Sequence, residues 1–100
     1  MVSFHIGITK WNDTISDTAI ARRIRLRDLH TLRILAETGS MARAAEILHL
    51  SQPAISKAMA EMERLVGAAL LERSARGVTV TRHGEVLLLR GIAMLDEMRR

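Results

Sequence analysis

Residues 40–65 of this 100-residue chain read SMARAAEILHLSQPAISKAMAEMERL, and they carry the main information on its fold. The pattern predicts two short amphipathic helices joined by a break of about three residues. In the first helix the apolar residues follow the spacing i, i+3, i+4, i+7, which places them on one face. They are Met41, Ala44, Ala45 and Leu48. Helices this short rarely hold in water alone, so a third element must close their core.

The second helix, predicted over residues 51–66, divides its residues between two sides. At about 100° per residue, the apolar side chains fall within an arc of about 120°. They are Ile55, Ala58, Met59, Met62, Leu65 and Val66. The opposite arc holds small, polar and basic residues, namely Pro53, Ser56, Lys57, Ala60 and Arg64. This division is typical of a helix-turn-helix, whose second helix can enter the major groove of DNA.

A third helix upstream supplies the missing part of the core. Leucine recurs at every third position from Leu26 to Leu35. This spacing predicts a helix over residues 27–38, and Gly39 is expected to end it.

Helix starts and turns are marked by residues with known roles. The hydroxyls of Ser40 and Ser51 are expected to cap the two helices that follow them. Pro53 falls in a first helical turn, where its missing N–H costs nothing. His49 occupies the turn between the two helices, either with or without a positive φ, a conformation that His tolerates better than most residues.

Beyond Gly67 the pattern becomes that of a β-hairpin. Residues 69–73 form a short apolar run that turns polar, residues 74–77 are typical of a turn, and residues 78–80 show β-branched alternation. The sequence therefore predicts a wing over about residues 70–80 with Arg76 at its tip. Residues 24–82 are interpreted as a mainly α winged helix-turn-helix, with a three-helix core and a short two-stranded wing.

A last helix is predicted over residues 83–100, with Thr81 as its N-cap. Its apolar residues cover more than the one stripe that packing on a small domain requires. We interpret the surplus as a dimerisation surface formed by Leu88, Leu89, Ile92 and Leu95. The alternative is packing within the chain. No stop signal follows Arg99, so this helix is expected to lead into a further, C-terminal domain of a longer protein.

Composition narrows the class of protein. Fifteen Lys and Arg residues against 11 Asp and Glu give a net charge of +4 and a pI of about 11.0, which suits a polyanionic partner. Cysteine is absent, which excludes a disulfide scaffold and thiolate metal sites and fits a reducing cytoplasm. The four histidines lack metal-ligand spacing, and no phosphate loop or nucleophile elbow is present. We therefore expect no enzyme, cofactor or metal site, and no segment is long enough to span a membrane.

Residues 1–23 are the least informative part of the chain. They lack the basic start and unbroken apolar run of a signal peptide. They are interpreted as an N-terminal extension. It is either a mobile tail or, because of Phe4, Ile6, Ile8 and Trp11, a short strand or a strip that packs on the domain.

From about Leu26 to Leu95 the chain resembles the N-terminal DNA-binding domain of LysR-type bacterial transcriptional regulators. The resemblance lies in LRDLHTLRILAETGSMARAAEILHLSQPAISKAMAEMERLVG (26–67) and LLERSARGVTVTRHGEVLL (70–88). Three motifs lie in register there: Ser-Gln-Pro-Ala-Ile-Ser after an Ala-Ala helix, the Glu-Arg to Arg-Gly-Val wing, and Thr-x-x-Gly before the linker helix. Met41 and Leu71 stand where the family often has phenylalanine, and Lys57 stands where arginine is commoner.

Several residues are candidates for contact with base edges. A Gln52 amide can pair with adenine and Lys57 can donate to guanine, although a lysine lacks the planar fork of arginine. Pro53 either touches a thymine methyl or serves only as a rigid helix start. The Ser56 hydroxyl can bind a base or a phosphate.

Other residues are candidates for contact with the DNA backbone. Ser40 and Ser51 lie at helix N-termini, where anions bind favourably. Arg43 and Arg64 are expected to neutralise phosphates, and Arg76 at the wing tip either enters the minor groove or binds phosphate. For Arg73, which follows an apolar run, we favour a structural ion pair over contact with DNA.

The resemblance implies a cytoplasmic bacterial regulator that binds an inverted repeat as a homodimer. It also implies tetramers in the whole protein and a C-terminal domain that binds a small-molecule co-inducer. The competing hypothesis is a winged-helix module used for protein association without DNA binding.

Overall fold

A computed structural model of the chain describes the backbone of residues 24–99 and the side chains of residues 24–91 and 93. This part consists of four helices and one two-stranded sheet. The helices are α1 (Leu26–Thr38), α2 (Met41–Leu48), α3 (Gln52–Val66) and α4 (Arg82–Arg99); the strands are β1 (Leu71–Ser74) and β2 (Gly77–Val80). The order confirms the winged helix-turn-helix predicted from the sequence. The hypotheses about residues 1–23 lie outside the described residues.

One apolar core joins all of these elements. Its members come from every helix and from the wing, and they are Leu29, Leu32, Ile34, Leu35, Ala44, Ile55, Met59, Met62, Val66, Leu70, Val78 and Leu87. The inner side predicted for α3 is confirmed: four of its six residues are buried, and Ala58 and Leu65 are half-buried. Apolar surface from three crossing helices is removed from water together, which supplies the stability that each short helix lacks alone.

The predicted caps and turns are present. The N–H of Arg43 donates to Ser40 Oγ at 3.1 Å, the N–H of Ala54 donates to Ser51 Oγ at 3.2 Å, and the N–H of Gly84 donates to Thr81 Oγ1 at 3.1 Å. His49 adopts the positive-φ alternative, with φ of 56°. Its N–H caps the carbonyls that end α2, so the turn is tight and α3 starts close to the end of α2.

The wing is an antiparallel hairpin held to the helices by its own backbone. Residue Leu71 pairs with Val80 and Ser74 with Gly77, which leaves Ala75 and Arg76 as the two-residue turn. The carboxylate of Glu63, near the end of α3, accepts hydrogen bonds from the N–H groups of Leu70 and Leu71 at 2.8 and 3.3 Å. A charged acceptor makes these bonds stronger than neutral ones. The start of the wing is therefore fixed relative to α3.

The other strand is attached to the turn between α1 and α2. The N–H of Val78 donates to the carbonyl of Gly39 at 3.0 Å. Gly77 lies so close to this turn that a Cβ atom on it would stand 2.3 Å from the Gly39 oxygen, and its φ is 128°. Only glycine fits this position, because it has no Cβ and adopts positive φ without strain.

Helix α4 runs from the wing back across α1. Leu87 is buried in the core, and Gly91 lies against the Leu29 side chain. None of the helices in residues 24–99 combines the length and the apolar character needed to cross a bilayer.

Candidate nucleic-acid interface

The outer side of α3 presents the predicted base-contact residues. Gln52, Pro53 and Lys57 are exposed, and Ser56 is half-buried. On the opposite side of the same turns, Ile55 is 0% and Met59 is 1% exposed. The buried side fixes how the helix is rotated, so the polar side faces away from the core.

The start of α3 combines a cap with an exposed N-terminus. Ser51 is exposed and its hydroxyl accepts one of the free N–H groups of the first turn. Unpaired N–H groups and the helix dipole favour an anion at such an end. Ser40 holds the same position at the start of α2, followed by the exposed cation of Arg43. Their contact with a DNA backbone stays a prediction.

Arg64 differs from the free cation that the sequence led us to expect. Its Nε donates to Glu61 Oε2 at 3.1 Å, and its Nη2 donates to Glu61 Oε1. The hydrogen bond with Glu61 and then the charge of Glu61 raise the pKa of Arg64. Both side chains are solvent-exposed, at 60% and 56%, so water screens the pair. A phosphate would nevertheless have to compete with this carboxylate.

The expectation of a structural ion pair for Arg73 is wrong. Its Nη2 instead donates to the hydroxyl of Ser56 at 3.0 Å, across a separation of 17 residues. The bond joins β1 to the outer side of α3, because Arg73 extends from the strand towards the helix. No pattern in the sequence predicts this partner.

The wing tip carries the remaining predicted contact. Arg76 is exposed, and its N–H donates to Ser74 Oγ at 3.2 Å, which orders the two-residue turn. Since Arg73 on the same hairpin reaches Ser56, the wing stands beside the outer side of α3. Arg76 therefore extends the polar surface beyond the helix.

A groove of about 700 Å³ lies between the beginning of α1 and the edge of α3 at which its outer and inner sides meet. Three cations line it, Arg25, Arg27 and Lys57, together with the carboxylates of Asp28 and Glu61. The sequence has arginine at positions 22, 23, 25 and 27, around the start of α1, but it did not place any of them beside Lys57. The acids leave the groove only weakly positive.

The four residues predicted to form a dimer contact have different surroundings. Leu88 is half-buried and packs against the chain's own core, whereas Leu89 is 70% exposed. The side chains of Ile92 and Leu95 lie outside the described residues. Ile47 and Leu50, at and just beyond the end of α2, are each 46% exposed, and this exposure was not predicted from the sequence.

Comparison with known proteins places this arrangement in a family. The protein-family model described as "Bacterial regulatory helix-turn-helix protein, lysR family" matches residues 26–85, which is more than half of the chain. The chain belongs to the lysR family. The matched span covers α1, the helix-turn-helix, the wing and the first turn of α4.

Curated lysR-type relatives are similar over the same region. The uncharacterized regulator YdcI of Escherichia coli is 46% identical over 80 residues, which are 80% of this chain and 26% of that protein. The regulator PcaQ of Agrobacterium fabrum is 43% identical over 81 residues, 81% of this chain and 26% of that protein. The chain thus spans about a quarter of the length of these relatives.

Solved lysR-family structures share the fold. A crystal structure of a CbnR_DBD–DNA complex superposes with a TM-score of 0.72 and 39% identity, covering 77% of this chain and 88% of that one. A complex of BenM_DBD with benA site 1 DNA gives a TM-score of 0.70 and 30% identity, covering 76% and 88%. Both structures hold this fold in complex with DNA.

Proposed function

We propose that this chain is the sequence-specific DNA-binding domain of a lysR-type transcriptional regulator. The observation that carries the proposal is the division of α3, with its apolar side buried and Gln52, Pro53 and Lys57 exposed beside a basic wing. A helix of this kind fits the major groove, which admits one α-helix. The DNA complexes of CbnR_DBD and BenM_DBD, which have the same fold, support the proposal.

Four residues of α3 are proposed to read base edges. Gln52 can donate to and accept from adenine, and Lys57 can donate to guanine O6 or N7. Pro53 offers an apolar surface to a thymine methyl, and the Ser56 hydroxyl faces the same groove. Each good contact of this kind discriminates by about 1–3 kcal/mol against the wrong base.

The backbone contacts are proposed to come from helix starts and the wing. Ser40 and Ser51 present helix N-termini, and Arg43 and Arg76 present exposed cations. Arg76 is proposed to lie in or along the minor groove next to the recognition helix. We propose a smaller role for Arg64, because its charge is already bound by Glu61.

We further propose that two copies pair through α4 and bind an inverted repeat. The 70% exposure of Leu89 supports a partner on this helix. Symmetric recognition helices place half-sites about one helical turn apart, or further with wing contacts. The whole protein would assemble into tetramers, bind a co-inducer through a C-terminal domain and act on the bacterial chromosome in the cytoplasm, with no catalytic step.

A gel-shift titration tests the proposal. A duplex selected from a random pool and an unselected duplex of equal length are compared at several salt concentrations. We expect affinity that falls steeply with salt on both, and on the order of 10³-fold tighter binding to the selected duplex. A dimer in sizing chromatography that binds neither duplex at low salt would contradict the proposal and favour the protein-association module.

A further inference from the structure

The bond between Arg73 and Ser56 joins the two structural parts of the proposed interface. Arg73 is exposed on β1, Ser56 is half-buried on α3, and the Nη2–Oγ distance is 3.0 Å. Contacts with the rest of the domain anchor the segments that carry these two residues. Glu63 binds the backbone at the start of β1, and Met59, one turn from Ser56, is 1% exposed. The backbone that carries each residue is therefore held in place.

This bond settles the chemical role of the hydroxyl. A serine hydroxyl has one hydrogen to donate and two lone pairs to accept with, whereas a guanidinium can only donate. Ser56 Oγ therefore accepts from Arg73, and its own hydrogen is left for another partner. Serines inside helices often give that hydrogen to the carbonyl four residues earlier. Within the described residues, the bond of the Ser56 hydroxyl is the one with Arg73.

The charge of Arg73 also favours Ser56 as a hydrogen-bond donor. A hydroxyl that accepts from a cation is polarised, which makes its hydrogen a better donor. The cation also repels a second positive group, such as the amino hydrogens of a base. Ser56 is thereby set to meet an acceptor.

We propose that Arg73 is a specificity-positioning residue that holds Ser56 as a hydrogen-bond donor in the major groove. This inference rests on the proposed function. At the base that Ser56 contacts, guanine, adenine and thymine offer acceptors in the major groove, at N7, O6 or O4, while cytosine offers only the donor N4 amino group. The domain should thus discriminate against cytosine at this position, although Arg73 itself touches no base.

Four duplexes test the proposal. At one base pair of a selected site, Ser56→Ala changes the base preference of the domain. The four duplexes carry the four possible base pairs at that position and are otherwise identical. Affinities are measured at one salt concentration for the wild-type chain, Arg73→Ala, Ser56→Ala and the double variant. Arg76→Ala is the matched control, because it also removes one wing cation but has no bond to Ser56. Thermal unfolding verifies that each variant is folded.

We expect the wild-type chain to disfavour the cytosine duplex by about tenfold, the effect of one mismatched pair. Arg73→Ala and Ser56→Ala should each remove most of that preference, and the double variant should lose no more than either single one, because the two residues act as one unit. Arg76→Ala should weaken all four duplexes by the same factor and keep the preference.

Three results would overturn the inference, and they have different meanings. If Ser56→Ala changes the base preference at no position of the selected site, Ser56 reads no base, the inference fails and the proposed function stands. If Arg73→Ala weakens all four duplexes equally and the cytosine preference persists, Arg73 acts only as a charge and the proposed function stands. If the wild-type chain binds selected and random duplexes equally, the proposed function fails, and this inference fails with it.

Discussion

The two sides of α3 differ sharply in their exposure to solvent. On the inner side, Ile55, Met59, Met62 and Val66 are at most 2% exposed, and on the outer side Gln52, Pro53 and Lys57 are exposed. Residues only two positions apart thus serve opposite purposes. The inner side sets stability and orientation, while the outer side is left free for recognition. Substitutions on this one helix should therefore separate cleanly into those that unfold the domain and those that change only its binding.

The largest effect is expected from a substitution on the inner side of α3. Met59→Ala should lower the free energy of unfolding by about 2–5 kcal/mol, because it removes a buried side chain and leaves a cavity. Lys57→Ala, two residues away on the outer side, should stay within about 0.5 kcal/mol of the wild type. Chemical denaturation of both variants measures the contrast. Equal losses of stability would break the division between the two sides.

The next largest effect is expected at Gly77, where the wing approaches the turn between α1 and α2. Gly77→Ala should cost about 1–3 kcal/mol of stability, because the new Cβ meets the Gly39 carbonyl at a strained φ. Gly67→Ala is the control, since its φ of 74° is also positive but nothing lies within 4 Å of the added atom. Thermal unfolding should show Gly77→Ala to be the more damaging of the two. A smaller loss for Gly77→Ala than for Gly67→Ala would contradict the close approach of wing and turn.

A smaller effect is expected at Ser51, which caps α3 and is proposed to contact the DNA backbone. Ser51→Ala should lower stability by about 1 kcal/mol through loss of the cap. Ser51→Asp keeps a capping oxygen and should restore the stability, yet its negative charge should weaken DNA binding, because it repels phosphate at the helix start. Denaturation and gel-shift titration of both variants give the two readouts. Undiminished DNA binding by Ser51→Asp would place the start of α3 away from the backbone.

The smallest effect compares two exposed arginines. Arg76→Ala should reduce the slope of log affinity against log salt by about one unit, because one phosphate contact is lost. Arg64→Ala should change that slope less, since Glu61 already neutralises the cation. Titrations of random duplex at four salt concentrations measure both slopes. A larger change for Arg64→Ala would show that its ion pair opens on DNA.

Local and periodic features of the fold could be predicted from the sequence. The stripes of α2 and α3, the serine caps and the glycine ends depend on residues within one or two turns, so spacing alone reveals them. The Arg64–Glu61 pair could also have been expected, because residues three apart on a helix are neighbours.

Contacts between distant parts of the chain could not be predicted in this way. Arg73 and Ser56 are 17 residues apart, and their contact depends on how the wing stands against α3. The approach of Gly77 to Gly39 depends on the same placement. No periodicity encodes either distance, because each results from packing of the whole core. The proposed partner of Leu89 could not be predicted from spacing either, because it belongs to a second molecule.

The central claim is that the outer side of α3 reads base edges, and Gln52→Ala tests it most directly. The variant and the wild-type chain are titrated on the selected duplex and on random duplex at the same salt concentration. We predict a loss of about 1–3 kcal/mol on the selected duplex, with little change on random DNA and in thermal stability. An equal loss on both duplexes would contradict base reading by Gln52 and with it this account of α3.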